Sequence, residues 1–284
     1  MVPLISIVIA NYNYGRFLEE AILSILSQEL GERIEIIICD AGSTDNSLEI
    51  IRKYEKHITW WCSEKDGGQS AAFNKGFSHA RGEWLTWLNA DDMYLPGTLK
   101  AFATLVARKP KAQWVTGNKI HFDSDSKAII SVNWGPHRQL PILSGRRAFS
   151  AVFGPTTFWR RSLYEEIGPI DERLHFAMDT EYWARLTMAG VGQVRLNRFC
   201  WAFRDHADSK TEGVQTEDIR LRRAAETAYW REKTGYNFEK SIRNVYYVLW
   251  VLWRFFDGSW FVRAALKLRY EGRNISALLE NMNI

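Results

Sequence analysis

The sequence has few cysteines, little charge imbalance and no long apolar run, and each shortage excludes a class of protein. Three cysteines, Cys39, Cys62 and Cys200, stand among 284 residues. The count is odd and no C-x-x-C occurs, so neither a disulfide framework nor a zinc site is indicated. Cys39 and Cys62 lie in apolar, strand-like runs, as buried free thiols of a reducing compartment do. The apolar run at 245–253 has nine residues, against about 20 for a membrane-spanning helix. The N-terminus lacks a basic region, and residues 4–10 are too short for a signal-peptide core with a cleavage site. A cytoplasmic location is expected. Neither G-x-G-x-x-G nor G-x-x-x-x-G-K-[ST] is present, which tells against a dinucleotide oxidoreductase and a P-loop nucleotidase. A net charge of +4 is too weak to argue for nucleic acid as a partner.

What is present reads as an ordinary globular protein. Apolar residues at 46 % and charged residues at 25 % allow one large domain or two small ones with ample core. Apolar, β-branched runs at 4–10, 34–39, 58–62 and 84–88 predict strands. Between them, helical spacing is carried by Phe17, Ala21, Ile22 and Ile25, then by Leu48, Ile51 and Tyr54 behind a Ser43 or Thr44 cap. Residues 69–80 and 97–108 predict two more helices. Strands alternating with helices at this pitch predict an α/β fold with a mostly parallel sheet. Beyond Gln113 the pattern changes, with strands predicted at 114–118, 128–133 and 156–159. A Pro/Gly/Arg-rich loop at 135–147, helices at 179–189 and 215–233, and an extended stretch at 191–204 complete it.

In an open α/β sheet, ligands bind beyond the carboxyl ends of the strands. Four polar clusters fall at such ends: Asn11-Tyr12-Asn13, Asp40 with Ser43-Thr44-Asp45, Asp66-Gly67-Gly68, and Asn89-Ala90-Asp91-Asp92. Their coincidence predicts one shared site. Paired aspartates at a strand end suit Mg²⁺ or Mn²⁺, which favour carboxylates and bridge phosphates; a solvated helix cap is the plainer reading of Asp91-Asp92. Tyr12 near Asp40 can stack on and hydrogen-bond a nucleobase, or simply pack in the turn.

Residues 6–13 (SIVIANYN), 36–47 (IIICDAGSTDNS), 64–76 (EKDGGQSAAFNKG), 82–92 (GEWLTWLNADD) and 177–186 (AMDTEYWARL) together resemble a family-2 glycosyltransferase of GT-A fold. The resemblance runs in order from about residue 4 to about 212. It implies a Rossmann-like mixed sheet flanked by helices, and inverting transfer from a nucleotide-diphospho-sugar, a UDP-sugar being favoured. It places the base-binding aspartate on Asp40 and the nucleoside-contacting aromatic on Tyr12. Ala10, Asp66, Gly67, Asn74, Asn89, Ala90 and Lys210 join them in the implied donor site. The family's D-x-D falls on Asn89-Ala90-Asp91, which makes Asp91 the implied ligand of Mn²⁺ or Mg²⁺, with Asp92 and His206 as further metal candidates. Asn89 offers a cation less charge than the usual aspartate.

The family's catalytic acidic pair reads Met178-Asp179, so Asp179 is the implied base; a helix N-cap is the alternative. An inverting displacement needs a carboxylate opposite the leaving group to take the acceptor's proton. Residues 204–211 (RDHADSKT) resemble the family's R-x-H-x-x-S-K-T, and the surface-loop reading stands beside it. Residues 153–160 resemble an acceptor-side strand, implying that Thr156, Thr157 and Trp159 contact a saccharide or lipid-linked acceptor; core packing is the alternative.

The charge is unevenly placed. Residues 1–239 carry 30 basic and 30 acidic side chains, while residues 240–284 carry seven basic and three acidic ones. Ile242, Val245, Tyr246, Leu249, Trp250, Trp253 and Phe256 fit one helical stripe, and Trp260, Phe261, Ala264 and Leu268 another. A basic, Trp-rich pair of amphipathic helices suits an anionic membrane surface, packing on the body of the protein, or a homodimer. The expected organisation is a catalytic domain at 1–212, divided into a nucleotide-sugar half (1–112) and an acceptor half (113–212), with a helical extension at 213–284. The reading is a metal-dependent glycosyltransferase of polysaccharide or glycoconjugate assembly, cytoplasmic and peripheral on the inner face of the cell membrane. The alternatives are a catalytically silent nucleotide-sugar-binding subunit and a sugar nucleotidyltransferase.

Overall fold

The computed structural model describes residues 2–137, 152, 154–210, 216–235 and 240–279, with 240–247 described in backbone only. The first half alternates as the apolar runs require: β1 (Ile5–Asn11), α1 (Gly15–Leu26), β2 (Ile34–Asp40), α2 (Ser47–Lys53), β3 (Trp60–Ser63), α3 (Gln69–His79) and β4 (Trp84–Asn89). A two-residue β5 (Met93–Tyr94) and α4 (Thr98–Arg108) follow. The second half holds β6 (Trp114–Asp123), β7 (Ile129–Asn133), β8 (Thr157–Arg160), α5 (Arg161–Ile167), α6 (Met178–Met188) and β9 (Gln193–Asp205). Four helices close the chain: α7 (Glu217–Thr234), α8 (Lys240–Phe256), α9 (Ser259–Tyr270) and α10 (Ser276–Leu279).

The strands form one sheet in the order β3-β2-β1-β4-β8-β6-β9-β5, with β7 paired to β6. Strands β1 to β4 pair in parallel. Strand β8 runs antiparallel to both β4 and β6, whereas β6 and β9 are parallel. The sheet is therefore parallel at its N-terminal end and mixed beyond β4.

Strand periodicity sorts the side chains into two layers. Ile5, Ile7 and Ile9 face α1, α2 and α4, contributing to a core with Ile22, Ile51 and Phe102. Val8 points the other way, towards Phe73 and Phe77 of α3 and the α6 side chains. That second layer stacks buried indoles: Trp87 lies 5.3 Å from Trp183 between ring centroids, and Trp114 lies 5.8 Å from Trp183. Aromatic pairs at such spacing add to area burial, and this packing accounts for much of the tryptophan content.

The cap of α2 differs from expectation. Ser43 and Thr44 stand too early, since α2 begins at Ser47. The N-cap is Asn46, without a side-chain bond, and Asp45 before it ties the starts of two helices together: its carboxylate accepts from the Ser47 amide of α2 at 3.0 Å and the Gly15 amide of α1 at 2.8 Å. Ser43 is committed instead to Asp40. The predicted loop at 135–147 and Thr211 fall largely or wholly outside the described residues, as do the side chains of Ile242, Val245 and Tyr246.

Candidate active site

The carboxyl ends of β1, β2 and β4 open onto a cavity of about 980 Å³, closed on its far side by β9, α6 and α7. Tyr12 leaves the end of β1 with 59 % of its surface exposed and lines the cavity beside Ala10. An aromatic ring held out in this way has a free face for a planar base.

Asp40, one strand over, is placed differently from its expected role. It is 1 % exposed. Its Oδ1 accepts from Asn11 Nδ2 (2.7 Å) and Ser43 Oγ (2.5 Å). Its Oδ2 accepts from Ser63 Oγ (2.6 Å) and from the amides of Ser43 and Gly42. Five donors hold the turn after β2 rigidly, and the groups presented to the cavity there are Ala41 and Gly42. Asp40 is thus the organiser of the turn after β2 rather than a lining residue.

At the end of β4 the four residues Asn89 to Asp92 divide their tasks. Asp91 lines the cavity, and its Oδ2 lies 3.1 Å from His206 Nε2. The imidazole is wedged between Tyr14 and Phe17, with ring centroids at 5.5 and 4.8 Å. Arg204, two residues earlier, is buried and donates Nε–H to the Asp91 carbonyl at 2.8 Å. It thereby fixes the backbone that carries the carboxylate. Asp92 is buried and turned inward, accepting from Asn89 Nδ2 (2.8 Å) and the Arg204 amide (3.0 Å). Burial, and then the neighbouring Asp91 charge, push its carboxyl well above the usual range. Asp92 is therefore corrected from a metal candidate to a structural group.

Asn89 has both ends of its amide engaged. It donates to Asp92 and accepts from Gln69 Nε2 at 3.0 Å, while Gln69 Oε1 accepts from Lys210 Nζ at 2.9 Å. An aspartate at 89 would set a second carboxylate against Asp92, so the departure from D-x-D has a physical reason here. The donor set suits a divalent ion: the Asp91 carboxylate lines the cavity, backed by the His206 imidazole at hydrogen-bond distance. Among the described residues no group of three or more His, Cys, Asp or Glu could hold a metal, so the remaining ligands would have to come from phosphate and water, as is usual for Mg²⁺ and Mn²⁺.

Across the cavity Asp179 sits in the first turn of α6. Its Oδ1 accepts from Thr180 Oγ1 at 3.1 Å. Burial raises its pKa, against the opposing Thr180 hydrogen bonds and the Lys210 charge. Burial also brings the Lys210 ammonium down to about 8, although Glu226 and Asp179 pull it upward. The segment before α6 is gripped by Glu226 of α7, whose carboxylate accepts the amides of His175 (3.0 Å), Phe176 (2.7 Å) and Ala177 (3.0 Å). Helix α7 also lines the cavity with Arg223, Thr227, Trp230 and Arg231, which the helical repeat places on one face. A boundary at 212 therefore cuts through the site.

Three further expectations are corrected. Thr156, Thr157 and Trp159 have no exposed surface; Thr157 O accepts from Thr86, and Trp159 packs on Trp87 and Trp183. The cavity is lined there by Gly154 and Pro155 instead. Asn74 faces away, tying α3 to the segment after α5 by donating to Ile170 O (2.8 Å) and accepting from Tyr164 (3.0 Å). Gly67 is exposed beside the cavity, and Gly68 lines it. Gly68 has φ +105°, a conformation open mainly to glycine, and it starts α3. Sequence reasoning missed Gln69, His175, Glu226 and the α7 face. Gln69 directly follows the Asp-Gly-Gly turn, and the 223/227/230/231 spacing is itself a helical-face signal.

Residues 6–168 match the family model of glycosyl transferase family 2. The chain belongs to this family. It is 33 % identical over 178 residues to an uncharacterized glycosyltransferase of Nostoc sp., covering 59 % of this chain and 54 % of that protein. It is 36 % identical over 126 residues to the glycosyltransferase GlyG of Streptococcus pneumoniae, covering 43 % and 41 %. The chain spans about half the length of the curated relatives it matches. Among solved structures, S. aureus TarS in complex with UDP-GlcNAc superposes with a TM-score of 0.60 at 15 % identity, covering 84 % of this chain and 69 % of that one. The mannosyltransferase PcManGT from Pyrobaculum calidifontis, in complex with GDP-Man and Mn²⁺, gives 0.59 at 18 %, covering 84 % and 66 %. These likenesses establish the GT-A fold. Membership of family 2 argues against the sugar nucleotidyltransferase reading.

Proposed function

We propose that the chain transfers a glycosyl group, with inversion, from a nucleotide-diphospho-sugar to a hydroxyl of a saccharide or lipid-linked acceptor. The observation that carries this reading is that Asp91, backed by His206, and Asp179 line one cavity whose mouth bears the exposed Tyr12. Tyr12 stacks on the base, and the turn braced by Asp40 receives the nucleoside. Asp91 and His206 would hold Mn²⁺, whose charge neutralises the departing diphosphate. Lys210, kept in place by Gln69, adds a cation on the same wall. Asp179 takes the proton from the acceptor hydroxyl. The acceptor oxygen bonds to the anomeric carbon as the bond to the diphosphate oxygen breaks, and that electron pair leaves with the nucleotide. Burial suits Asp179 to the task, because a raised pKa makes a carboxylate a stronger base.

A UDP-sugar is the favoured donor, with GDP-Man as the alternative that the second solved relative suggests. The reaction is proposed to take place in the cytoplasm, where three free cysteines are at home. Thermal unfolding with UDP-GlcNAc or GDP-Man, with and without Mn²⁺, tests the reading. A ligand at a hundred times its Kd stabilises by about 2.7 kcal/mol. One donor should raise the unfolding temperature only with Mn²⁺, and Asp91→Ala should abolish the effect. If no nucleotide-sugar stabilised the wild type with Mn²⁺, the reading would be overturned.

A further inference from the structure

The α8–α9 hairpin has one face on the protein and one face off it. On the inner side Arg254 is buried and donates to the Trp134 carbonyl at 2.8 Å. Asp257 accepts the His137 amide at 2.8 Å. Leu266 and Tyr270 pack on the cluster holding Ile129 and Ile275. On the outer side Val248, Leu252, Phe255 and Phe256 are exposed, and the helical repeat puts them on one face of α8. Trp260, Phe261 and Leu268 continue the exposed surface along α9, with Phe256 and Leu268 at 79 % and 87 %. Phe255 joins the two helices through ring contacts to Trp260 and Phe261 at 6.4 and 5.0 Å.

The charged residues within α9 are all basic, with Glu271 following at its end. At 100° per residue, Arg263 and Lys267 flank the α9 stripe on one side and Arg269 on the other. All three are exposed. Lys267 has only a loose 3.5 Å pair with Glu271. The single acid between Val248 and Tyr270, Asp257, is turned inward.

We propose that this hairpin face lies in the interface of an anionic lipid bilayer, with its rings among the acyl-chain ends and its cations at the headgroups. An apolar stripe rimmed by cations is the pattern that anionic membranes bind, and tryptophan favours that depth. No helix among the described residues is long and apolar enough to cross a membrane, so the hairpin lies in the plane. A second copy of the chain fits less well, because a two-fold contact would bring each cation-rimmed face against an identical one. The surface is separate from the cavity, and the inference is independent of the reaction proposed above.

Co-sedimentation of the full chain with vesicles tests it, comparing mixed phosphatidylglycerol–phosphatidylcholine with pure phosphatidylcholine at low and high salt. Binding is expected to the mixed vesicles only, and to weaken as salt screens the charges. F256S with W260S should lower the partition coefficient about tenfold or more, and R263E with K267E should do the same. Both variants should keep the wild-type unfolding temperature, which separates lost docking from lost folding. The proposal is overturned if the wild type stays in the supernatant with mixed vesicles at low salt. It is equally overturned if the F256S/W260S variant binds as the wild type does, or turns a dimer into a monomer with vesicle binding unchanged.

Discussion

Glu226 accepts the backbone N–H of Phe176 at 2.7 Å, and with its two other amide bonds it pins the three residues that lead into the Asp179 helix. A helix from the C-terminal part of the chain therefore sets the attitude of the proposed base. Arg222 steadies the same carboxylate at 3.2 Å.

Removing that grip should cost turnover before it costs donor affinity. Glu226→Ala leaves three amides without their acceptor, worth about 1–3 kcal/mol for each group that stays buried and unpaired. The expected result is a fall in kcat with the nucleotide Kd within a few-fold of wild type, and partial rescue by Glu226→Asp. An equal loss of nucleotide binding would assign Glu226 to general folding instead. Steady-state kinetics alongside calorimetric titration of nucleotide separates the two.

The pH profile of transfer should be limited on both sides. Asp179 acts as a base only when ionised, and burial raises its pKa. Turnover should therefore fall on acidification at a pH above the ordinary aspartate value of about 3.9. Lys210 supplies charge only while protonated, and its pKa lies at about 8, so donor affinity should weaken as the pH rises through that value. In Lys210→Met the alkaline change in donor KM should vanish while the acid limb remains.

Asn89→Asp restores the family's usual residue and should nonetheless destabilise this protein. The new carboxylate would replace the amide donor to buried Asp92, and like charges at that distance cannot both ionise. A loss of about 1–3 kcal/mol is expected, read from chemical unfolding at neutral pH and relieved on acidification. Unchanged stability would mean that the Asp92–Asn89–Gln69–Lys210 chain is not maintained in solution.

Acid stability should depend on Asp171. Burial alone would raise its pKa, but hydrogen bonds from Arg173, Lys233 and Tyr229 outweigh burial and hold the carboxyl well below the usual range. A depressed folded-state pKa contributes stability that is complete above the unfolded value, about 3.9, and is lost as the pH falls below it. Unfolding followed from neutral pH down through that value should show a steeper loss for wild type than for Asp171→Asn. Parallel losses would remove Asp171 from the acid response.

The sheet and the cavity at its strand ends were legible because they rest on local patterns. Buried β-branched runs specify the strands, and polar clusters at their carboxyl ends mark where a ligand can reach the backbone. Individual roles were less legible, because they depend on which way a side chain turns. Asp40 ends β2 and Asp91 follows two residues after the end of β4, yet Asp40 is enclosed by donors from three neighbouring segments and Asp91 is left to the cavity. The family resemblance implies acceptor contacts at Thr156, Thr157 and Trp159, but all three are buried, Thr157 and Trp159 in β8 where it pairs antiparallel between β4 and β6 and Thr156 in the turn before it. Glu226 was hidden because it acts across 50 residues of sequence on the Phe176 amide, and no local spacing records a contact of that kind.

The proposed chemistry stands most directly on Asp179, and release of nucleotide from a UDP-sugar or GDP-sugar in the presence of Mn²⁺ measures it. Wild type should release nucleotide. Asp179→Asn should bind the same donor with unchanged Kd while releasing nucleotide about a hundredfold or more slowly. An Asp179→Asn variant that turned over the donor at the wild-type rate would contradict the assignment of the base.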